Sequence, residues 1–170
     1  MLRKLYQTKT EYTTAQLAGL VVLRVLIGWH FLYEGVAKLL NPYWTSASYL
    51  LESKGPFAGF FHYLANHPSV LKVVDPVNVW ALILIGLALL CGLLSQVASI
   101  GGMLLLLLYY LCTPPFVGYH YSIPMEGSYL VVNKVLIELA ALYVLTTFPT
   151  SQLIGLDRLV FGKSLSEGED

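Results

Sequence analysis

TAQLAGLVVLRVLIGWHFLYEGVAKLL, residues Thr14–Leu40, is longer than the roughly 20 apolar residues a bilayer needs, yet it carries Arg24, His30, Glu34 and Lys38. A charge at the bilayer centre costs roughly 2.5–3.5 kcal/mol on insertion scales. The pattern recurs near the other end of the chain, where the apolar run 128–147 carries Asn133, Lys134 and Glu138. Five ionic groups in two apolar segments must be paired, hidden from lipid or used.

The whole composition agrees with a membrane setting. Of 170 residues, 56% are hydrophobic and only 12% charged, against about 25% charged in a typical soluble domain. The formal net charge is zero, so nothing points to nucleic acid. Length allows a single domain, 1–170. The first apolar run is too long for a cleaved signal, carries charge and lacks an A-x-A end. It reads as a retained helix.

Outward from that run, three further spans are expected at 77–94, 97–112 and 128–147. The fold class is thus all-α: an integral membrane four-helix bundle with the lipid bilayer as its first partner. Asp75-Pro76 has the form of an N-cap followed by a first-turn proline, and opens the second span. Pro114-Pro115 stops the third. The second and third spans share a short turn and form an antiparallel hairpin. Small residues four apart (Ala88 and Gly92; Ala98 and Gly102) permit close helix contact there. Cys91 and Cys112 lie near opposite ends of this hairpin, about 18 Å apart in depth. That is too far for a disulfide.

The connection 41–76 is divided by Pro42, Gly55-Pro56 and Pro68. Short helices are expected at 45–53 and 56–66, the second with Phe57, Phe60, Phe61 and Leu64 at helical spacing. Such a helix lies in the interface. The 113–127 connection is also aromatic, and the two together suit a lid over one end of the bundle. Lys and Arg flank the tails (Arg3, Lys4, Lys9, Arg158, Lys163) more than the connections (Lys54, Lys72). The positive-inside rule then puts both termini, including the tail 150–170, in the cytoplasm. Residues after Lys163 are expected to fray. No internal repeat marks a transporter.

At 100° per residue, Arg24, His30, Glu34 and Lys38 share an arc of roughly 120°. Gly28 and Gly35 edge that arc, where another helix can approach. His30, Glu34 and Lys38 form an i, i+4 ladder, and Lys134 and Glu138 are an i, i+4 pair. Counting from the expected helix ends, Glu34 and Lys134 both lie about 9 Å deep and Glu138 about 15 Å. One polar cluster therefore joins the first and last helices, with Arg24 apart, nearer the middle. Three positive groups face two negative ones when His30 is neutral, a surplus that suits an anionic or carbonyl-rich ligand. Two plainer readings stay open. Buried ion pairs can fix helix register without chemistry, and Lys38 can snorkel to the headgroups. His30 has no second histidine in the spans to complete a haem, and His62, His67 and His120 show no metal motif. No haem, flavin or metal is expected. Trp80, Tyr109 and Tyr110 read as interface anchors. Trp44 follows Asn41-Pro42 at the mouth of the charged helix.

RVLIGWHFLYEGVAKLLNP (24–42), IGLALLCGLLSQVASIGG (85–102) and NKVLIELAAL (133–142) resemble, in that order, the helix signatures of the DoxX family of small membrane proteins. The G-x-x-K element is Gly35-Val36-Ala37-Lys38. YWTSASYLLESKGPFAGFF (43–61) is most similar to the DoxD-like branch, which includes the large subunit of thiosulfate:quinone oxidoreductase. The resemblance implies a four-helix bundle in a bacterial or archaeal cytoplasmic membrane and a role in passing electrons to quinone. It places Arg24, Glu34, Lys38, Asn133, Lys134 and Glu138 in the signature.

A quinone-interacting oxidoreductase subunit is then the leading expectation, with quinone as the redox partner. Glu34, Glu138 and His30 would move protons as the catalytic set. Arg24, Lys38, Asn133, Lys134 and Trp44 would bind the ligand. A second oxidoreductase subunit and a homo-oligomer are both compatible with it. The alternatives are a small-anion transporter or channel-like module, favoured by the positive surplus, and a membrane scaffold or assembly subunit in which the cluster only sets helix register.

Overall fold

The computed structural model describes residues 11–123 and 130–161. The expectations for Arg3, Lys4 and Lys9, for Ser128, and for the tail beyond Lys163 lie outside the described residues. The described chain is helical, with seven helices: α1 (Thr14–Leu40), α2 (Ala47–Leu51), α3 (Ala58–Asn66), α4 (Pro68–Cys91), α5 (Ser95–Cys112), α6 (Lys134–Thr147) and α7 (Asp157–Phe161). Three of them, α1, α4 and α5, are long and apolar enough to cross a membrane.

α1 begins at a capping box. Gln16 N donates to Thr13 Oγ1 at 3.3 Å, and Thr13 N donates to Gln16 Oε1 at 2.9 Å. It ends at Asn41, whose extended backbone is what a following proline requires. Val22, Leu26, Trp29 and Tyr33 form its exposed stripe. Its buried stripe is Arg24, Ile27, Gly28, Phe31 and Gly35.

In a bilayer, lipid tails are as apolar as leucine, so close packing rather than water exclusion decides which helices meet. α1 packs mainly on α4. A Cβ at Gly86 of α4 would lie 2.5 Å from Leu32 N, and one at Gly35 would lie 2.9 Å from Ile83 N. The glycines therefore let two backbones touch. The sequence anticipated the close approach at Gly28 and Gly35. The small-residue pairs of the hairpin divide differently. Gly102 faces α6, where a Cβ would meet Leu142 Cδ1 at 2.9 Å, and Gly92 is the left-handed C-cap of α4 (φ 64°).

Two expected boundaries are corrected. α4 starts at Pro68, not at residue 77, with Pro68 in its first turn and Pro76 inside the helix. Both prolines have a helix-opening context. The earlier one wins because Leu71 and Val74 pack on a small core of Leu50, Phe61, Ala65 and Cys112, which rewards two extra turns. Asp75 is accordingly no cap of α4. It accepts from Ser46 N at 3.0 Å and Ser46 Oγ at 2.5 Å, and so fixes the start of α2. The connection between α1 and α4 is 41–67, and it contains both expected short helices. Phe57, Phe60 and Tyr63 are exposed along α3, while Phe61 turns inward.

The second correction concerns the last helix. α6 begins at Lys134 and has 14 residues, about 21 Å of rise, short of a full span. Asn133 is its N-cap, accepting from Leu136 N at 3.0 Å. α5 packs on α6 and on α4, whereas α1 and α6 touch only lightly. The three long helices and the shorter α6 therefore leave a seam between α1 and α6.

One end of the bundle is closed by residues 148–161. Arg24, only 4% exposed, donates from Nη1 to Thr150 Oγ1 at 3.0 Å and from Nη2 to the Ile154 carbonyl at 2.8 Å. The buried Asp157 carboxylate accepts from Leu94 N at 2.7 Å and from Ser95 N at 3.4 Å. It caps α5 from outside and so holds its start at Ser95.

Candidate functional site

At the other end of the bundle, a cavity of about 580 Å³ opens where α1 and α6 part. Its floor is apolar: Phe31, Leu82 and Leu106, from α1, α4 and α5, are each less than 5% exposed and belong to the main core. Above the floor, α1 presents His30, Glu34 and Lys38, and α6 presents Asn133, Lys134 and Glu138. Trp44 and Tyr43 line the mouth from the connection after α1. The i, i+4 spacing puts the α1 groups on one face, and that face is turned to the cavity rather than to lipid.

The contacts within this wall are specific. His30 Nδ1 and Glu138 Oε1 stand 2.8 Å apart, a bond across the α1–α6 seam. Lys38 Nζ donates to Glu34 Oε2 one turn away. Lys38 has 19% of its side chain exposed and Glu34 has 47%, so Lys38 is the more sheltered of the two. Its ammonium also lies 5.9 Å from the Trp44 ring centre, within cation–π range. Lys134 stands in the field of both Glu34 and His30.

Seven of the eight expected site residues are thus brought together: His30, Glu34, Lys38, Trp44, Asn133, Lys134 and Glu138. Their pairing differs from expectation in one respect. Glu138 bonds to His30 of α1. Depth along α6 also shrinks: Lys134 opens the helix, and Glu138 lies about 6 Å beyond it. Arg24 is not at the cavity. Fourteen residues before Lys38, it lies about 21 Å along α1, in the closed end with Asp157 nearby. Among the described lining residues the fixed charges are Glu34, Lys38, Lys134 and Glu138, so they balance. The surplus that would draw an anion belongs to Arg24, at the far end.

The sequence reading missed the second wall. Asn78 of α4 donates from Nδ2 to Tyr109 OH of α5 at 2.6 Å, and both residues line the cavity. Tyr49 OH lies 2.8 Å from Thr113 Oγ1 and donates to the Tyr109 carbonyl at 3.1 Å. Burial pushes the Tyr49 phenol well above its ordinary range, so it stays neutral. The available signal was Asn78 itself, the single amide in an otherwise apolar stretch, VNVWALILIGLALL.

In its described part, the 113–123 loop, one half of the expected lid, is tied to the 41–67 connection. Lys54 donates to the His120 carbonyl and lies 5.1 Å from the Tyr121 ring centre. Ser122 N donates to Glu52 Oε2 at 3.0 Å, and Tyr121 OH to the Pro114 carbonyl at 2.7 Å. His62 and His67 each bond a backbone carbonyl, of Ser53 and Tyr63.

Residues 19–114 match the DoxX family. The chain belongs to the DoxX family. With three helices able to cross a membrane, this DoxX chain is an integral membrane protein. The match spans α1 to α5, and so includes the His30–Glu34–Lys38 ladder, Trp44 and the Asn78–Tyr109 pair. It ends before α6. No curated protein and no solved structure matches the chain.

Proposed function

We propose that this DoxX-family chain is the quinone-interacting membrane subunit of an oxidoreductase, of the thiosulfate:quinone type suggested by residues 43–61. The observation that carries the reading is the cavity, an apolar slot of about 580 Å³ rimmed by hydrogen-bonding and proton-exchanging side chains. A quinone needs those features: an apolar bed for its ring, donors to its carbonyl oxygens, and two protons for every two electrons received. Lys38, Asn133 and Lys134 supply donors at the rim. The His30–Glu138 pair holds an exchangeable proton, and Glu34 balances Lys38. The balance of fixed charges among the described lining residues favours a neutral ring compound over an anion. Electrons reach the ring from the donor substrate through a partner subunit.

The test is lipid-extract mass spectrometry of protein purified in mild detergent, paired with thiosulfate-dependent quinone reduction in membranes that contain it. Quinone at near-stoichiometric yield together with reductase activity is the expected result. A stable sample carrying no quinone, in membranes with no quinone-dependent activity, contradicts the reading.

A further inference from the structure

The Asn78–Tyr109 pair carries two unused hydrogen-bonding valences. Asn78 Nδ2 donates to Tyr109 OH at 2.6 Å. The phenol oxygen is therefore an acceptor in that bond, and its own proton has no acceptor among the described residues. Asn78 Oδ1 is buried with no hydrogen-bond partner among the described residues. An orphaned buried acceptor costs roughly 1–3 kcal/mol, so such atoms call for an explanation. Both residues line the cavity. They come from α4 and α5, across from the α1–α6 wall that holds His30 and Glu138. The pair thus offers one donor and one acceptor to the same space.

We propose that Asn78 and Tyr109 clamp a hydroxyl oxygen of the cavity's ligand, so that a ring diol, the reduced form of a quinone, binds more tightly than the quinone. The clamp rests on the reading that the cavity takes a quinone. A hydroxyl satisfies both valences at once: it accepts from Tyr109 OH and donates to Asn78 Oδ1. A carbonyl oxygen takes a single bond from the pair, either from Tyr109 OH or, with the amide turned over and Tyr109 OH donating to Oδ1, from Asn78 Nδ2, and in neither arrangement has it a proton to give. One net hydrogen bond corresponds to roughly a two- to tenfold difference in affinity. Lys38 and Lys134, donors only, suit the other oxygen of the ring in either redox state.

The experiment is anaerobic binding of a short-tailed ubiquinone and its quinol to the purified protein, comparing wild type with Asn78→Leu and Tyr109→Phe. The expected wild-type preference for quinol is about two- to tenfold. Asn78→Leu should abolish that preference while keeping quinone affinity within about threefold. Tyr109→Phe should weaken both redox forms, and it removes only one oxygen, which guards against a failure of Asn78→Leu to fold. Wild-type binding with no redox preference, or variants that keep the preference, overturns the clamp and leaves the cavity's ligand standing. No wild-type binding of either form overturns the function and the clamp together.

Discussion

His30 Nδ1 and Glu138 Oε1, 108 positions apart in the chain, meet at 2.8 Å and join the first long helix to the last. The seam they cross is the most lightly packed of the bundle, and the cavity opens along it. Both line the cavity, but Glu138 has 14% of its side chain exposed and His30 has 51%, so the carboxylate is the more sheltered partner. That asymmetry suits a relay in which Glu138 orients the imidazole and the imidazole meets the ligand.

His30→Phe is expected to slow quinone reduction by about 100-fold, the usual loss on removing a general acid. Quinone affinity should change by no more than about threefold, and helicity by circular dichroism should be unchanged. Steady-state turnover with a saturating quinone analogue checks this. Unaltered turnover would remove His30 from the proton path.

Arg24→Met is expected to act on stability, not on the cavity. It strips two charge-assisted hydrogen bonds from a buried site and leaves the Ile154 carbonyl unmatched, a loss of about 2–4 kcal/mol. Denaturant unfolding in detergent should show it, with quinone affinity unchanged. Lost affinity at unchanged stability would put Arg24 in the binding site after all.

Two glycine substitutions should have opposite signs. Gly86→Ala drives a methyl group to 2.5 Å from Leu32 N on α1, and backbone cannot yield as a side chain can. Overpacking of this kind costs about 1–3 kcal/mol. Gly59→Ala, on the helix α3, meets nothing within 4 Å among the described residues and should stabilise by about 0.5–1 kcal/mol. Thermal melts of the two variants beside wild type provide the measurement.

The lid should loosen in acid. The hydrogen bond from Ser122 N holds the Glu52 carboxyl below the ordinary glutamate range. Because the folded-state pKa is the lower one, the tether is complete above the ordinary glutamate pKa and is lost as pH falls through the folded value. Hydrogen exchange at the Ser122 amide, corrected for intrinsic rates, should rise over that window. Glu52→Gln should flatten the pH response.

Much of this was legible because a membrane makes charge conspicuous. Glu34, Lys38, Lys134 and Glu138 stand out in apolar runs, and helical spacing turned three α1 groups onto one face. The partner of Glu138 was not legible, since i, i+4 proximity to Lys134 says nothing about which helix lies opposite. Helix starts were ambiguous where two prolines offered the same local signal. Leu71 and Val74, by packing against Phe61 and Leu50, decided for Pro68. The start of α5 depends on Asp157, more than 60 residues away, and no local motif reports a cap supplied from that distance. Tyr109 was read as an interface anchor because tyrosine near a helix end usually is one. Only its bond to Asn78 reveals it as cavity wall.

The central claim, that a quinone occupies the space between α1 and α6, is open to one direct measurement. The chain has three tryptophans, of which Trp29 and Trp80 face outward at 59% and 52% exposure and Trp44 lines the cavity. In a Trp29→Phe, Trp80→Phe protein, Trp44 is the sole indole reporter, and bound quinone quenches it. Saturable quenching by a short-tailed quinone, relieved by a competing ring analogue and weakened by Lys38→Met, is the predicted result. Linear, unsaturable quenching no stronger than that of free tryptophan in the same detergent would contradict it.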